Sequence, residues 1–145
     1  MTLNPGYERV SLRASFAWGL AAVAALQALM VFPQLGRTTL WGIDEGRIAE
    51  AAREMALTGD WVTPRIGGVP FPAYPPLSFW LMAGSGLLLG FNEVAMRLPS
   101  ALAGIGLALA IGGMACRLAG PRAGVAAAAV LATLPGFFNQ ATTCR

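Results

Sequence analysis

WGIDEGRIAEAAREMALTGDWVTPRIGGVPFPAYPPLSFW, residues 41–80, is a polar, Trp- and Pro-bearing stretch set between long apolar runs. Five of the chain's seven acidic residues lie in it, and a sixth, Glu93, follows shortly after. Immediately upstream, residues 14–35 carry no charge over 22 positions. At 1.5 Å per residue such a helix is about 33 Å long, enough to cross the hydrocarbon core of a bilayer. The apolar core of a secretory signal is only about 7–15 residues, so the run reads as an uncleaved first span. Downstream come three more uncharged runs, 77–91, 98–116 and 123–143.

Composition points the same way. Of 145 residues, 56% are hydrophobic and 12% charged, and the mean hydropathy is +0.60. Soluble domains carry about 25% charged residues. The expected fold class is therefore all-α integral membrane, with about four transmembrane helices and an amphipathic juxtamembrane helix in the first outer loop. One membrane domain covers residues 1–145. Every basic residue is Arg, and there is no Lys or His. Without His, proton transfer or metal binding falls to carboxylates. The Arg residues are scattered, so no basic face for nucleic acid forms. Cys116 and Cys144 sit in apolar surroundings and read as small packing residues.

Arg9 and Arg13 precede the first span, which orients the N-terminus to the cytoplasm and the loop 36–76 to the outside. Within that loop, Ile48, Ala52, Met55 and Ala56 recur at the spacing of one helix face, predicting a helix over 44–57. An amphipathic helix of this kind suits the membrane surface. Gly59 is placed to end it in the left-handed conformation. Gly67-Gly68 and Pro70 mark a turn, and Pro76 can start the next helix because a first-turn proline loses no needed hydrogen bond. The run 77–91 is short for a crossing. If all four runs cross, Arg117 and Arg122 fall outside, against the positive-inside rule; if 77–91 dips in and returns, they fall inside. Four crossings are expected.

Several residues in and around the loop can carry chemistry. Asp44 and Glu45 are adjacent carboxylates at a helix start. Such a pair can bind a divalent cation, accept a proton, or simply charge the positive end of the helix dipole. Adjacent helical side chains diverge by about 100°, so one reactive and one supporting residue is the more natural arrangement. Arg47 is three residues from Asp44 and can pair with it, or meet a phosphate. Trp41, Trp61, Tyr74 and Trp80 are aromatics at headgroup level, where anchoring is the default and stacking on sugar or lipid is the alternative. Arg97 reads as an interface anchor.

Four ordered strings then carry a resemblance: DEGRIAEAAREM at 44–55, GDWVTP at 59–64, PPLSFWL at 75–81 and NEVAMRLPSAL at 92–102. Together they resemble the N-terminal part of the polyprenyl-phosphate-sugar glycosyltransferases. That family includes the protein O-mannosyltransferases and the aminoarabinose transferases that modify lipid A. The likeness runs from about residue 14 to 138. It implies a C-type glycosyltransferase fold in the bacterial inner membrane, with an outward-facing site. The donor is a polyprenyl-phosphate-linked sugar and the acceptor a protein, lipid or glycan.

By this resemblance Asp44 is the catalytic carboxylate and Glu45 its partner, with Asp44 and Glu45 also the candidate ligands of a divalent metal. Arg47 is placed to orient Asp44 or meet phosphate, and Tyr74, Arg65 and Trp61 are the further substrate-binding candidates. Many family members carry an acidic-Lys pair just before the double proline, where this chain has Ala73-Tyr74. Tyrosine offers one hydrogen bond but no cation, so phosphate neutralisation would pass to Arg47, Arg65 or a metal.

Family enzymes are several times longer, so the chain is expected to be a fragment, completed by later loops or by a separately encoded remainder. The alternative is a non-catalytic membrane scaffold or partner subunit with the same fold. A channel or transporter has no support, since no predicted span carries a charge in its middle.

Overall fold

The structure, a computed structural model, describes residues 5–37 and 43–143. Trp41, Cys144 and Arg145 lie outside the described residues. The elements are α1 (Pro5–Leu35), α2 (Ile43–Thr58), β1 (Arg65–Ile66), β2 (Val69–Pro70), α3 (Pro76–Leu89), α4 (Glu93–Ala119), α5 (Pro121–Thr133) and α6 (Pro135–Thr142).

Two helices are long and apolar enough to cross a membrane, Ala14–Leu35 of α1 and Glu93–Ala119 of α4. They run antiparallel. From Arg97 through Gly104 to Gly112, α4 meets Leu35, Gln27 and Leu20 of α1 in turn. The last turn of α1 and the first turn of α4 therefore share one end of the bundle. The other end holds the start of the α1 span, Arg117 and the α4–α5 turn. Helix α5 packs back along both. A Cβ on Gly124 would come within 2.6 Å of the Gly112 carbonyl oxygen and 2.7 Å of the Phe16 ring. Only glycine permits that approach of backbones, which is how apolar helices gain contact where lipid offers no hydrophobic drive.

Helix α2 and the segment after it lie at the end shared by Leu35 and Arg97. Its buried stripe, Ile48, Ala51, Ala52 and Met55, packs on Phe79, Met82 and Ala83 of α3 and on Ala95 and Met96 of α4. The stop is as the sequence indicates: Gly59 has φ +74° and its N–H donates to the Met55 carbonyl at 3.0 Å. A short antiparallel hairpin follows, pairing Arg65 with Pro70 and Ile66 with Val69. Its two-residue turn is Gly67-Gly68, both at positive φ, the geometry that matches strand twist. This hairpin is an addition to the all-helical expectation. Pro76 opens α3, and the Asn92 side chain caps α4 by accepting from the Ala95 N–H at 2.9 Å.

The later runs differ from the expected spans. Residues 77–91 become the 14-residue α3, which packs against α2 and the first turns of α4. Ser85 of α3 donates to the Ala95 carbonyl at 2.6 Å, holding the pair together. The run 123–143 is not one helix but two, α5 and α6, bent by 66° at Leu134. Pro135 is the cause: it drives the residue before it out of the helical region, and Leu134 is extended at φ −65°, ψ 124°. Past the bend, Ala141 and Phe138 join Val31, Leu35 and Ala101 in a second small core.

Candidate functional site

The site is assembled at the start of α2. Asp44 and Glu45 both fall in its first turn, and they diverge as the helical geometry requires. Asp44 is exposed, whereas Glu45 is 7% exposed and turned into the bundle. There its Oε2 accepts from Nη2 of Arg97 at 3.1 Å. Arg97 is 3% exposed and also donates from Nη1 to the Leu35 carbonyl at 2.9 Å.

One guanidinium thus ties three elements: the last turn of α1, whose carbonyls lack helical partners, the first turn of α2, and α4 itself. The planar fork of Arg suits this two-way contact, which a lysine ammonium would not reproduce. Arg97 is no interface anchor; it is a buried clamp under the site. A sequence signal for it existed. A cation at the head of the uncharged run 98–116 calls for a buried anion, and the outer loop held candidates.

Arg47 follows one turn after Asp44, but the expected ion pair between them does not form among the described residues. The Arg47 guanidinium carbon instead lies 4.7 Å from the centroid of the Phe71 ring. Phe71 in turn faces Tyr74, with centroids 6.3 Å apart and planes at 49°. Both rings are packed on the α2–α3–α4 core. A guanidinium over an aromatic face is held in place while its edges stay available for hydrogen bonding. The exposed Asp44 carboxylate and the stacked Arg47 therefore stand one turn apart on α2, with Phe71 as a floor beneath the Arg and Tyr74 against Phe71.

Arg65 and Trp61 belong to the loop and hairpin that follow α2, whose tip is held where Glu54 accepts the Gly68 N–H at 2.8 Å. Glu54 is ten residues from Asp44, about 15 Å along the helix. Arg65 is engaged there: its Nε meets Asp60 at 3.5 Å and its Nη1 donates to the Gly68 carbonyl at 3.3 Å. Asp60 also accepts the backbone N–H groups of Thr63 and Val62, at 3.1 and 3.2 Å. Those two bonds first, and Arg65 next, hold its carboxyl below the usual 3.8. The Trp61 carbonyl accepts the indole N–H of Trp80 at 2.6 Å, pinning the loop to α3. The side chain of Arg65 and the carbonyl of Trp61 thus make their hydrogen bonds within the loop, the hairpin and α3.

The paired carboxylates do not fit a metal centre. Glu45 is committed to Arg97 and faces inward, while Asp44 faces out. Among the described residues no three acidic, His or Cys side chains converge on one point.

The arrangement defines a class: a helical membrane protein with a polar, carboxylate- and Arg-bearing surface built on a juxta-bundle helix at one end. Comparison with known proteins narrows it. The family described as dolichyl-phosphate-mannose-protein mannosyltransferase matches residues 73–144, a range that includes Tyr74 but not Asp44, Glu45 or Arg47. An undecaprenyl phosphate-alpha-4-amino-4-deoxy-L-arabinose arabinosyl transferase of Shewanella sediminis is 35% identical over 85 residues, 58% of this chain and 16% of the relative. One from Aeromonas hydrophila is 41% identical over 69 residues, 48% of this chain and 13% of its own.

In fold, the crystal structure of ArnT from Cupriavidus metallidurans in the apo state superimposes with a TM-score of 0.79 and 32% identity, over 90% of this chain and 24% of that one. The same protein bound to undecaprenyl phosphate gives 0.63 over 77% and 23%. In sequence and in fold the chain is thus similar to polyprenyl-phosphate-sugar glycosyltransferases of the protein mannosyltransferase and aminoarabinose transferase kind. The chain spans about a sixth of the length of the first of these curated relatives.

Proposed function

We propose that this chain forms the donor-side reaction surface of a membrane glycosyltransferase that moves a sugar from a polyprenyl phosphate to an acceptor. The observation that carries the reading is the division of labour at the start of α2. Glu45 is locked inside by Arg97, and its neighbour Asp44 is held exposed one turn from Arg47. The likeness to a solved aminoarabinose transferase that binds undecaprenyl phosphate supports the donor class.

In this mechanism the acceptor hydroxyl attacks the sugar carbon that bears the phosphate. Asp44 accepts the hydroxyl proton as the new C–O bond forms. The bond to the phosphate oxygen breaks, and the polyprenyl phosphate leaves with the electron pair. Arg47, steadied on Phe71, faces the charge that develops on that phosphate, and Tyr74 supplies a hydroxyl donor where other members have Lys. If the acceptor is itself an anionic phosphate, no proton needs removing, and Asp44 positions the acceptor instead.

The same reading assigns topology. The reaction surface faces outward, as the resemblance implies; Arg9, Arg13, Arg117 and Arg122, which flank the spans at the opposite end, then face the cytoplasm, while Arg37, Arg47, Arg53 and Arg65 belong to the outer segment. The chain then crosses three times, by α1, α4 and the bent α5–α6 pair, with α2, the hairpin and α3 on the outer side. It sits in a bacterial inner membrane, and further chain segments complete the site.

The test is sugar transfer by the complete enzyme carrying Arg47→Gln. The reading requires a fall of at least tenfold in kcat/KM for the polyprenyl-phosphate donor, with the acceptor KM unmoved. Unchanged donor kinetics would remove Arg47 from the site. A non-catalytic scaffold would show no transfer dependence on either Arg47 or Asp44.

A further inference from the structure

The end of the bundle away from Asp44 carries a second feature, which the glycosyl-transfer reading does not use. Between α1 and α5 lies a groove of about 530 Å³, lined chiefly by Phe16 and Gly19 of α1 and by Arg122, Val125, Ala126 and Ala129 of α5. Its long axis follows α5: Arg122 and Ala129 are seven residues apart, about 10 Å. The groove is charged at one end only. Arg122 is exposed at its mouth, and every lining residue deeper in is apolar or glycine. The mouth sits level with Ser15, the second residue of the first span, so it lies where headgroups meet hydrocarbon if α1 crosses.

From these observations we infer that the groove seats one acyl chain of an anionic phospholipid, with the lipid phosphate on Arg122. Charge complementarity selects this occupant. By sequence this end of the bundle carries Arg9, Arg13, Arg117 and Arg122 against the single acid Glu8. A cationic mouth above an apolar trough matches a phosphate above a hydrocarbon tail, and guanidinium pairs with phosphate in a two-pronged geometry. A further helix of a longer chain is the competing occupant. Such a helix would need an acidic residue of its own facing Arg122, whereas an anionic lipid brings its phosphate with it. The groove volume falls within the range of pockets that hold small ligands. The inference rests on α1 and α5 being membrane-spanning, and is independent of the chemistry at Asp44.

The test is lipid retention by the complete protein in native mass spectrometry. The probes are palmitoyl-oleoyl phosphatidylglycerol and the phosphatidylcholine with the same chains. The glycerol lipid is expected to be retained about fivefold over the choline lipid, as one basic residue near an anionic surface provides. Arg122→Gln should bring the two lipids level, Arg122→Lys should keep most of the preference, and Ala126→Trp should expel both by filling the trough. Equal retention by the unaltered protein, or an undiminished preference in Arg122→Gln, would overturn the inference. So would a photo-crosslinker at position 126 that captures another segment of the protein instead of lipid. Sugar transfer is a separate readout, so its loss with lipid retention intact bears on the Asp44 site and not on this groove.

Discussion

Replacing Arg97 with Met should destabilise the protein far more than an exposed substitution would. Arg97 and Glu45 are 3% and 7% exposed, and their charged atoms are 3.1 Å apart. At an effective dielectric constant near 20, that separation corresponds to an attraction of about 5 kcal/mol, most of it offset by the cost of removing both charges from water. The net worth of the pair is therefore small, but removing one member strands the other. An uncompensated Glu45 carboxylate in this setting costs about 3–5 kcal/mol. Loss of the bond to the Leu35 carbonyl adds about 1 kcal/mol.

The assay is the thermal unfolding midpoint of the complete protein in detergent, followed by tryptophan fluorescence. At about 2–4 °C per kcal/mol, the single variant should fall by roughly 8–24 °C. The decisive comparison is Arg97→Met combined with Glu45→Leu, which removes the stranded charge and should recover all but about 1 kcal/mol. A drop worth less than about 1 kcal/mol in Arg97→Met, or a double variant no more stable than the single one, would refute the view that the clamp is a buried ion pair.

Further outcomes follow from the loop and the topology. The Asp60 carboxyl has a lowered pKa when folded, so its contribution to holding the loop 60–65 is complete above its ordinary value and is lost as pH falls through the lowered one. Trp61 fluorescence should therefore change only below about pH 4, and Asp60→Asn should abolish that transition; a midpoint above pH 5 would contradict the assignment. In a background lacking Cys116 and Cys144, Val69→Cys in the hairpin should react with an impermeant maleimide from outside the cell. Leu118→Cys at the basic end should react only after permeabilisation, and the reverse pattern would invert the proposed orientation.

The parts of the fold that were legible in the sequence are those set by local chemistry. The uncharged run 14–35 coincides with a span of α1, and the face Ile48, Ala52, Met55 is the buried stripe of α2. Gly59, the Gly67-Gly68 turn and Pro76 end or begin elements because their backbone freedom or restriction acts on the spot. What was not legible depends on partners far along the chain. Arg97 meets Glu45 across 52 residues, and Arg47 leaves Asp44 for Phe71, 24 positions on. The path of the segment between the two long helices was not legible for a similar reason: only the meeting of Leu35 with Arg97 shows that it returns to the same end. The bend at Leu134 was written in Pro135, but an unbroken absence of charge outweighed it.

In the proposed mechanism exposed Asp44, and not its buried neighbour, acts on the substrates. The direct measurement is sugar transfer from a polyprenyl-phosphate donor by the complete enzyme carrying Asp44→Asn, beside its unfolding midpoint. Asparagine keeps the size and the helix-start preference of the side chain and removes only the charge and the proton acceptor. The expected outcome is a loss in kcat of about 10²–10⁴ with stability unchanged within about 0.5 kcal/mol. Transfer within twofold of the unaltered enzyme, at equal stability, would contradict it.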